Sequence, residues 1–307
     1  MAIQVVPAET MAASSEPAGA GAGGDGLGSG RGRALRSLRR NPLGLVGAGL
    51  LLLVVLVAVL APVISPYPPT QVHFETPFQR VGTQGFWLGT DDLGRDIMSR
   101  AFHGTRASLE VGVLSVALAV VIGVPLGLVS GWWRVLDAFV SRLTDLLLAF
   151  PFLILAVGLA AIRGASLTNA ALALGIAQVP TMIRVVRAET LRWRSADFVT
   201  SARAMDASSG WILGRHILPN AASAVIVQAT VIMPVAIIGE ATLSFLGLGI
   251  RPPAPSLGIM LSDAQQYIFR APAAAIIPGV TIAVICLGFN FFGDALRDAL
   301  DPSTSSR

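Results

Sequence analysis

Asp145 and Asp294 lie within or beside long apolar runs, and a pair of carboxylates held in a membrane is the minimum equipment of an intramembrane aspartyl hydrolase. Their surroundings argue against that chemistry. Residues 291–294 read Phe-Phe-Gly-Asp, without the first Gly of the intramembrane aspartyl-protease motif. Both aspartates also fall near the ends of their runs, where Asp145 has Arg142 three residues away as an i, i+3 partner. A second acidic group, Asp91, Asp92 and Asp96, raises calcium binding. Adjacent aspartates on a helix point about 100° apart, and no EF-hand spacing is present. His73, His103 and His216 are scattered, and Cys286 stands alone, so neither a helical ligand pair nor a thiolate pair can form. No Lys occurs, and all 22 basic residues are Arg. That removes a Walker A lysine, a Schiff-base lysine and a Ser-Lys dyad together. The residues therefore predict no catalytic residues, no metal site and no ATP hydrolysis by this chain.

Chemistry set aside, the elements dominate. The chain of 307 residues is 53% hydrophobic and 13% charged, with mean hydropathy +0.70; soluble domains carry about 25% charged residues. Apolar runs at Leu43–Ile64, Leu109–Gly131, Ser141–Ile162, Leu167–Val186, Pro219–Glu240 and Ala273–Phe292 predict six membrane spans, each about 20 residues long. They must be helical, because an open strand leaves its backbone unpaired in lipid. The fold class is an all-α polytopic membrane protein. Residues 1–30 read as a disordered tail rich in Ala, Gly and Ser, and 31–64 as a basic flank plus the first span. Residues 65–108 form an extracytoplasmic loop with a short helix, 109–293 a five-helix core, and 294–307 a second tail. The first span is too long for a cleaved signal, whose apolar region is about 7–15 residues. With the N-terminus inside, 15 of the 22 Arg fall on the cytoplasmic side, so both termini are expected there. The Arg residues mark topology in a lipid bilayer, and no basic soluble domain exists to bind nucleic acid. Gly123, Gly127 and Gly131 recur every four residues on one helix face, which lets another helix approach closely.

Between the fourth and fifth spans lies a polar insert, 187–218. Phe198–Met205 reads as a short amphipathic helix, Asp206–Gly210 as a turn supplying a Ser N-cap, and Trp211–His216 as a second helix. Pro219 suits the first turn of the next span. By residue types alone this is an ordinary amphipathic cytoplasmic loop. Its spacing, however, resembles the EAA coupling loop of binding-protein-dependent ABC importer permeases. Thr200, Ser201 and Ala202 stand at the Glu-Ala-Ala element, Asp206 at its Gly, and Ile217-Leu218-Pro219 at its end, with Gly210 and Arg215 between. Thr200 cannot make the ion pair a Glu makes, and Asp206 tolerates a left-handed backbone less well than Gly.

The stretch Leu88-Gly89-Thr90-Asp91-Asp92-Leu93-Gly94-Arg95-Asp96 predicts an ordered helix start capped by Thr90 or Asp91, with Asp96 and Arg100 paired at i, i+4. It is similar to the LGTDxxGRD signature of C-type permeases in the dipeptide, oligopeptide and nickel ABC importers. Two further stretches agree, beginning at Glu240 and at Gly293. The resemblance spans about residues 41–302 and implies a type I importer permease fold. It also implies a transport subunit without its own ATPase site. A second, B-type permease and one or two cytoplasmic ATPases binding ATP and Mg are the implied partners, with an extracytoplasmic binding protein delivering substrate. The bacterial cytoplasmic membrane is the implied location. Gln228, Met233 and Glu240 are candidate pathway residues, although Glu240 also reads as a span-end residue facing water. Peptides are preferred to nickel, because no cluster of metal ligands marks the chain.

Overall fold

A computed structural model describes residues 41–300; the expected N-terminal tail, the Arg-rich flank 31–40 and residues 301–307 lie outside the described residues, while 294–300, expected to begin the second tail, continue the last helix. Asn41 starts the first helix, its Oδ1 accepting from the Leu43 and Gly44 amides, with Pro42 placed where a missing N–H costs nothing. The helices are α1 Pro42–Ile64, α2 Ile97–Trp132, α3 Arg134–Ala149, α4 Phe152–Arg163, α5 Leu167–Arg194, α6 Asp197–Ala204, α7 Ser209–Ile212, α8 Leu218–Phe245, α9 Leu257–Ala264 and α10 Ala273–Leu300. A π-helical turn, Leu213–Ile217, joins α7 to α8. No strand forms among the described residues, only two isolated bridges, Thr83–Phe86 and Thr90–Asp96.

Five of the expected spans are long apolar helices, while the third is broken. The chain bends by 92° between α3 and α4, at Phe150-Pro151. Proline disfavours helical geometry in the residue before it, and Phe150 is extended at φ −87°, ψ 136°. Helix order shows that the bent pair is nonetheless one crossing. A Cβ on Gly123, Gly127 or Gly131 would meet Met182, Val186 or Thr190 at 2.7, 2.6 and 2.5 Å. Numbers rise together on both helices, so α2 and α5 run parallel, and the chain between them must cross back. By the same test α8 is antiparallel to α2, since Gly112 abuts Met233 while Ser108 meets Glu240. α10 is antiparallel to α1, with Gly47 against Phe291 and Gly288 against Leu51. One end of the bundle therefore gathers 195–217 and the α10 C-terminus. The other gathers 65–96 and 246–272.

α2 and α5 form the centre of the bundle. α1 lies outermost and leaves Leu52, Leu53, Val59 and Val63 exposed, a face suited to lipid rather than water. α3 is held to α5 by Arg187 Nη2 on Asp137 Oδ2 at 2.9 Å and by Arg184 on Asp145 at 3.3 Å. Asp145 thus pairs across helices, not with Arg142 as expected, because the bend turns α3 alongside α5.

Candidate functional site: the coupling loop and the signature knot

At the first end of the bundle, the insert forms a helix–turn–helix seated on the core. Val199 and Ala202 of α6, with Ile212, Leu213 and Ile217, are buried in one cluster with Trp132 of α2 and Met182 and Val186 of α5. Each large apolar side chain so buried is worth about 1.5–3 kcal/mol when the alternative is water. Arg203 lies over the Trp132 ring, 4.2 Å from its centroid. α6 ends in a Schellman arrangement: Ala207 N–H donates to Ala202 O at 3.1 Å and Asp206 N–H to Arg203 O at 3.0 Å. Asp206 occupies the left-handed position at φ +60°, so an aspartate adopts the geometry a glycine normally supplies. Ser208 caps the second helix, accepting from the Trp211 amide at 3.4 Å. Gly210 belongs to that helix rather than to the turn.

The expected coupling residues divide by burial. Ala202 and Ile217 are buried and Leu218 is half-buried, while Thr200, Ser201, Asp206, Gly210, Arg215 and Pro219 are exposed. Met205 and Trp211 join them on the exposed face, at 76% and 51% exposure, and the sequence reading overlooked both. The loop thus has a fixed inner face and a free outer face carrying apolar knobs, the form of a docking ball. The second helix does not stop at His216: the π turn carries it without interruption into α8, making one 37-residue helical run, Ser209–Phe245. Beside the loop a groove of about 580 Å³ opens between α5, α8 and α10, lined by Glu189, Arg192, Asn220, Gln228 and Arg297 among others. Gln228 is therefore half-exposed in a groove of mixed polar and apolar lining. Met233 is buried, its thioether against Gly112.

At the opposite end, the LGTDDLGRD stretch ties itself into a knot. Asp91 Oδ1 accepts from the Leu93 amide at 3.0 Å and the Arg95 amide at 2.9 Å, while Oδ2 accepts from Arg95 Nε at 2.6 Å. Thr90 Oγ1 donates to Thr76 O at 2.6 Å and accepts from the Gln79 amide at 2.9 Å. Gly89 and Gly94 take positive φ, 81° and 72°, where a side chain would strain the backbone. The cap of α2 is neither Thr90 nor Asp91 but Asp96, whose Oδ2 accepts from the Ser99 amide at 2.8 Å and from Ser99 Oγ at 2.6 Å. Arg100 does not pair with Asp96 but turns to Asp91 at 3.5 Å and to Asp263 at 3.7 Å, and Asp96 Oδ1 is left without a hydrogen-bond partner among the described residues. Asp91 is thus committed to two guanidiniums.

Glu240 is the largest departure from expectation. It is fully buried, not facing water. Ser108 and Ser244 donate to it at 2.7 Å each. The predicted span stopped at Glu240, but α8 runs on to Phe245, which places the carboxylate inside the helix pack.

Comparison with known proteins agrees with this architecture. The profile described as "Binding-protein-dependent transport system inner membrane component" matches residues 123–306, and that described as "N-terminal TM domain of oligopeptide transport permease C" matches 31–80. The dipeptide transport system permease protein DppC of Alkalihalophilus pseudofirmus is 41% identical over 89% of this chain and 90% of its own. The glutathione transport system permease protein GsiD of Pectobacterium atrosepticum is 40% identical over 85% and 87%. Among solved structures, the inward-facing MetNI methionine ABC transporter is similar in fold, with TM-score 0.56 and 21% identity, covering 67% of this chain and 98% of that one. The chain belongs to the binding-protein-dependent transport system inner membrane component family, the membrane-embedded permease subunits of ABC importers, whose ATP hydrolysis is carried by partner subunits.

Proposed function

We propose that this permease moves short peptides into the cytoplasm as the C-type half of a heteromeric importer. What supports the peptide assignment is agreement along nearly nine-tenths of the chain with relatives named as dipeptide and di/tripeptide permeases, at 41% and 40% identity. In this reading a B-type permease faces this chain across the pathway, and one or two ATPases hold ATP and Mg. A binding protein delivers peptide from outside. The 195–217 end is cytoplasmic, a placement supported by the excess of Arg on that side. The exposed residues Thr200, Ser201, Met205, Asp206 and Trp211 dock in a groove on the ATPase. Closure of the ATPases then pushes the loop, and the unbroken helix from Ser209 carries the push into α8. The spans rock between outward- and inward-open arrangements. Gln228, on α8 beside Glu189 and Arg297, lies at the inner mouth of the path.

The test is affinity purification of the chain from its native membrane in mild detergent, followed by reconstitution of what comes with it. A second permease and ATPases should co-purify, and the reconstituted complex should take up labelled dipeptide in an ATP-dependent manner. Uptake of nickel without peptide would reverse the substrate assignment. A solitary protein, under detergent conditions that preserve a known importer, would reverse the assembly.

A further inference from the structure

The groove beside the coupling loop has a floor and two walls whose register is fixed. Its floor is one face of α8 from Pro219 to Val231, about 18 Å of helix. α5 and α10 are the walls, and both run antiparallel to α8. A Cβ at Gly239 of α8 would meet Leu174 of α5, and one at Gly293 of α10 would meet Thr230 of α8. Counting equally along both helices from each contact sets Glu189 level with Ala224 and Arg297 level with Ile226. Arg192 lies one turn nearer the loop than Glu189. The charged side chains therefore gather toward the loop end, and the deep end, around Gln228, is closed by Val185, Val227 and Val231.

The lining carries two Arg and one Glu, a sum of +1. Glu189 is engaged on its own wall. Trp193 Nε1 donates to Glu189 Oε2 at 3.0 Å, Arg192 Nη1 stands 3.7 Å from Oε1, and the Arg192 guanidinium lies over the Trp193 ring at 5.2 Å. On the facing wall Arg297 is exposed and takes part in no ion pair among the described residues. A free guanidinium fork at the mouth of a recess with an apolar deep end suits a ligand with one carboxylate and an apolar body. The volume of about 580 Å³ falls among those of small-molecule sites, about 300–1,000 Å³. An extended peptide advances about 3.5 Å per residue, so the floor takes about five residues.

We propose that this groove is a release site that reads the terminal carboxylate of a departing peptide. Arg297, with Arg192 opposite, holds the carboxylate at the mouth, and the apolar side chains of the peptide lie along the deep end. A peptide of up to about five residues thus leaves with its C-terminus toward the cytoplasm. This inference rests on the proposed transport function and names the chemical group that the inner end of the path recognises.

The experiment uses the purified complex of this chain with its partner permease and ATPases, without nucleotide or binding protein. It is illuminated with the dipeptide alanyl-benzoylphenylalanine, and the adducts are mapped by mass spectrometry. Adducts should fall within 185–193 or 219–231. Unlabelled Ala-Phe should displace the probe, and Ala-Phe amide should need about tenfold more, the loss expected when one charge-assisted contact is removed from a half-open site. In Arg297→Gln the potency of Ala-Phe should fall about tenfold while that of the amide is unchanged, and Arg297→Lys should recover part of the loss. Ser223→Trp, which fills the floor, should abolish the adducts in a complex that still co-purifies with its ATPases. Adducts confined to other segments, or equal potency of peptide and amide, would overturn the release site. Displacement by phosphatidylglycerol but not by Ala-Phe would give the groove to a lipid headgroup instead. Uptake of Ala-Phe by the same complex, with binding protein and ATP, separates the two levels. Absence of uptake brings down the peptide reading itself, whereas uptake with an unlabelled groove overturns the release site alone.

Discussion

Arg203 on α6 stacks on the buried Trp132 at the end of α2, 4.2 Å from guanidinium carbon to ring centroid. Trp132 is only 7% exposed, so the cation covers the last apolar surface of α2 and pins the coupling loop to the core. A partly desolvated pair of this kind is worth about 0.5–2 kcal/mol. Replacing Arg203 by Ala should therefore loosen the loop without unfolding the bundle. The expected signature is faster hydrogen exchange over 197–212, together with ATP hydrolysis that persists while uptake falls severalfold. Arg203→Lys keeps the charge and should recover part of both. Unchanged exchange in Arg203→Ala would show that the buried apolar face alone seats the loop.

The α2–α5 seam predicts an overpacking penalty. A Cβ on Gly127 would stand 2.6 Å from Val186 Cβ, and neither helix backbone can yield without opening the seam at Gly123 and Gly131. Gly127→Ala should cost about 1–3 kcal/mol, read as a lower yield and midpoint of thermal unfolding for the assembled complex. Val186→Ala in the same chain should return part of the loss. Gly49, which has nothing within 4 Å of a built Cβ, is the control: Gly49→Ala should be neutral or slightly stabilising.

Arg215 projects from the π turn on the exposed side of the loop. Reversing its charge leaves the buried cluster untouched, so insertion and assembly should be normal. Where the loop docks against an acidic groove, Arg215→Glu should uncouple hydrolysis from uptake by about tenfold. Fully coupled uptake would place Arg215 outside the contact.

The spans, their order and the loop were legible because hydrophobic run length and glycine spacing survive without tertiary context. Gly123, Gly127 and Gly131 face α5 as a four-residue period requires. Three features were not legible, each for a physical reason. Pro62, Pro125, Pro180, Pro234 and Pro278 all sit inside unbroken helices, which membrane helices tolerate. Pro151 breaks its span, and nothing in its own residue type distinguishes it from them. Glu240 looked like a helix end because a carboxylate is costly in lipid; Ser244 lies one turn along the same helix, but Ser108 comes from α2, and only packing brings it to the carboxylate. Asp96 looked like a partner for Arg100, but its Oδ2 caps the helix at Ser99 while the guanidinium reaches Asp91 and Asp263, which come from outside the helix.

Asp206 offers a test of the departure from the family's glycine. It holds φ +60° at the Schellman position, and a non-glycine residue there costs about 1 kcal/mol. Asp206→Gly relieves that strain but also loosens the unfolded loop, so the net gain should be about 0.5 kcal/mol or less. Slower tryptic cleavage after Arg203, with uptake unchanged, is the expected result. Reduced uptake with a more protected loop would mean that the Asp206 carboxylate itself touches the partner.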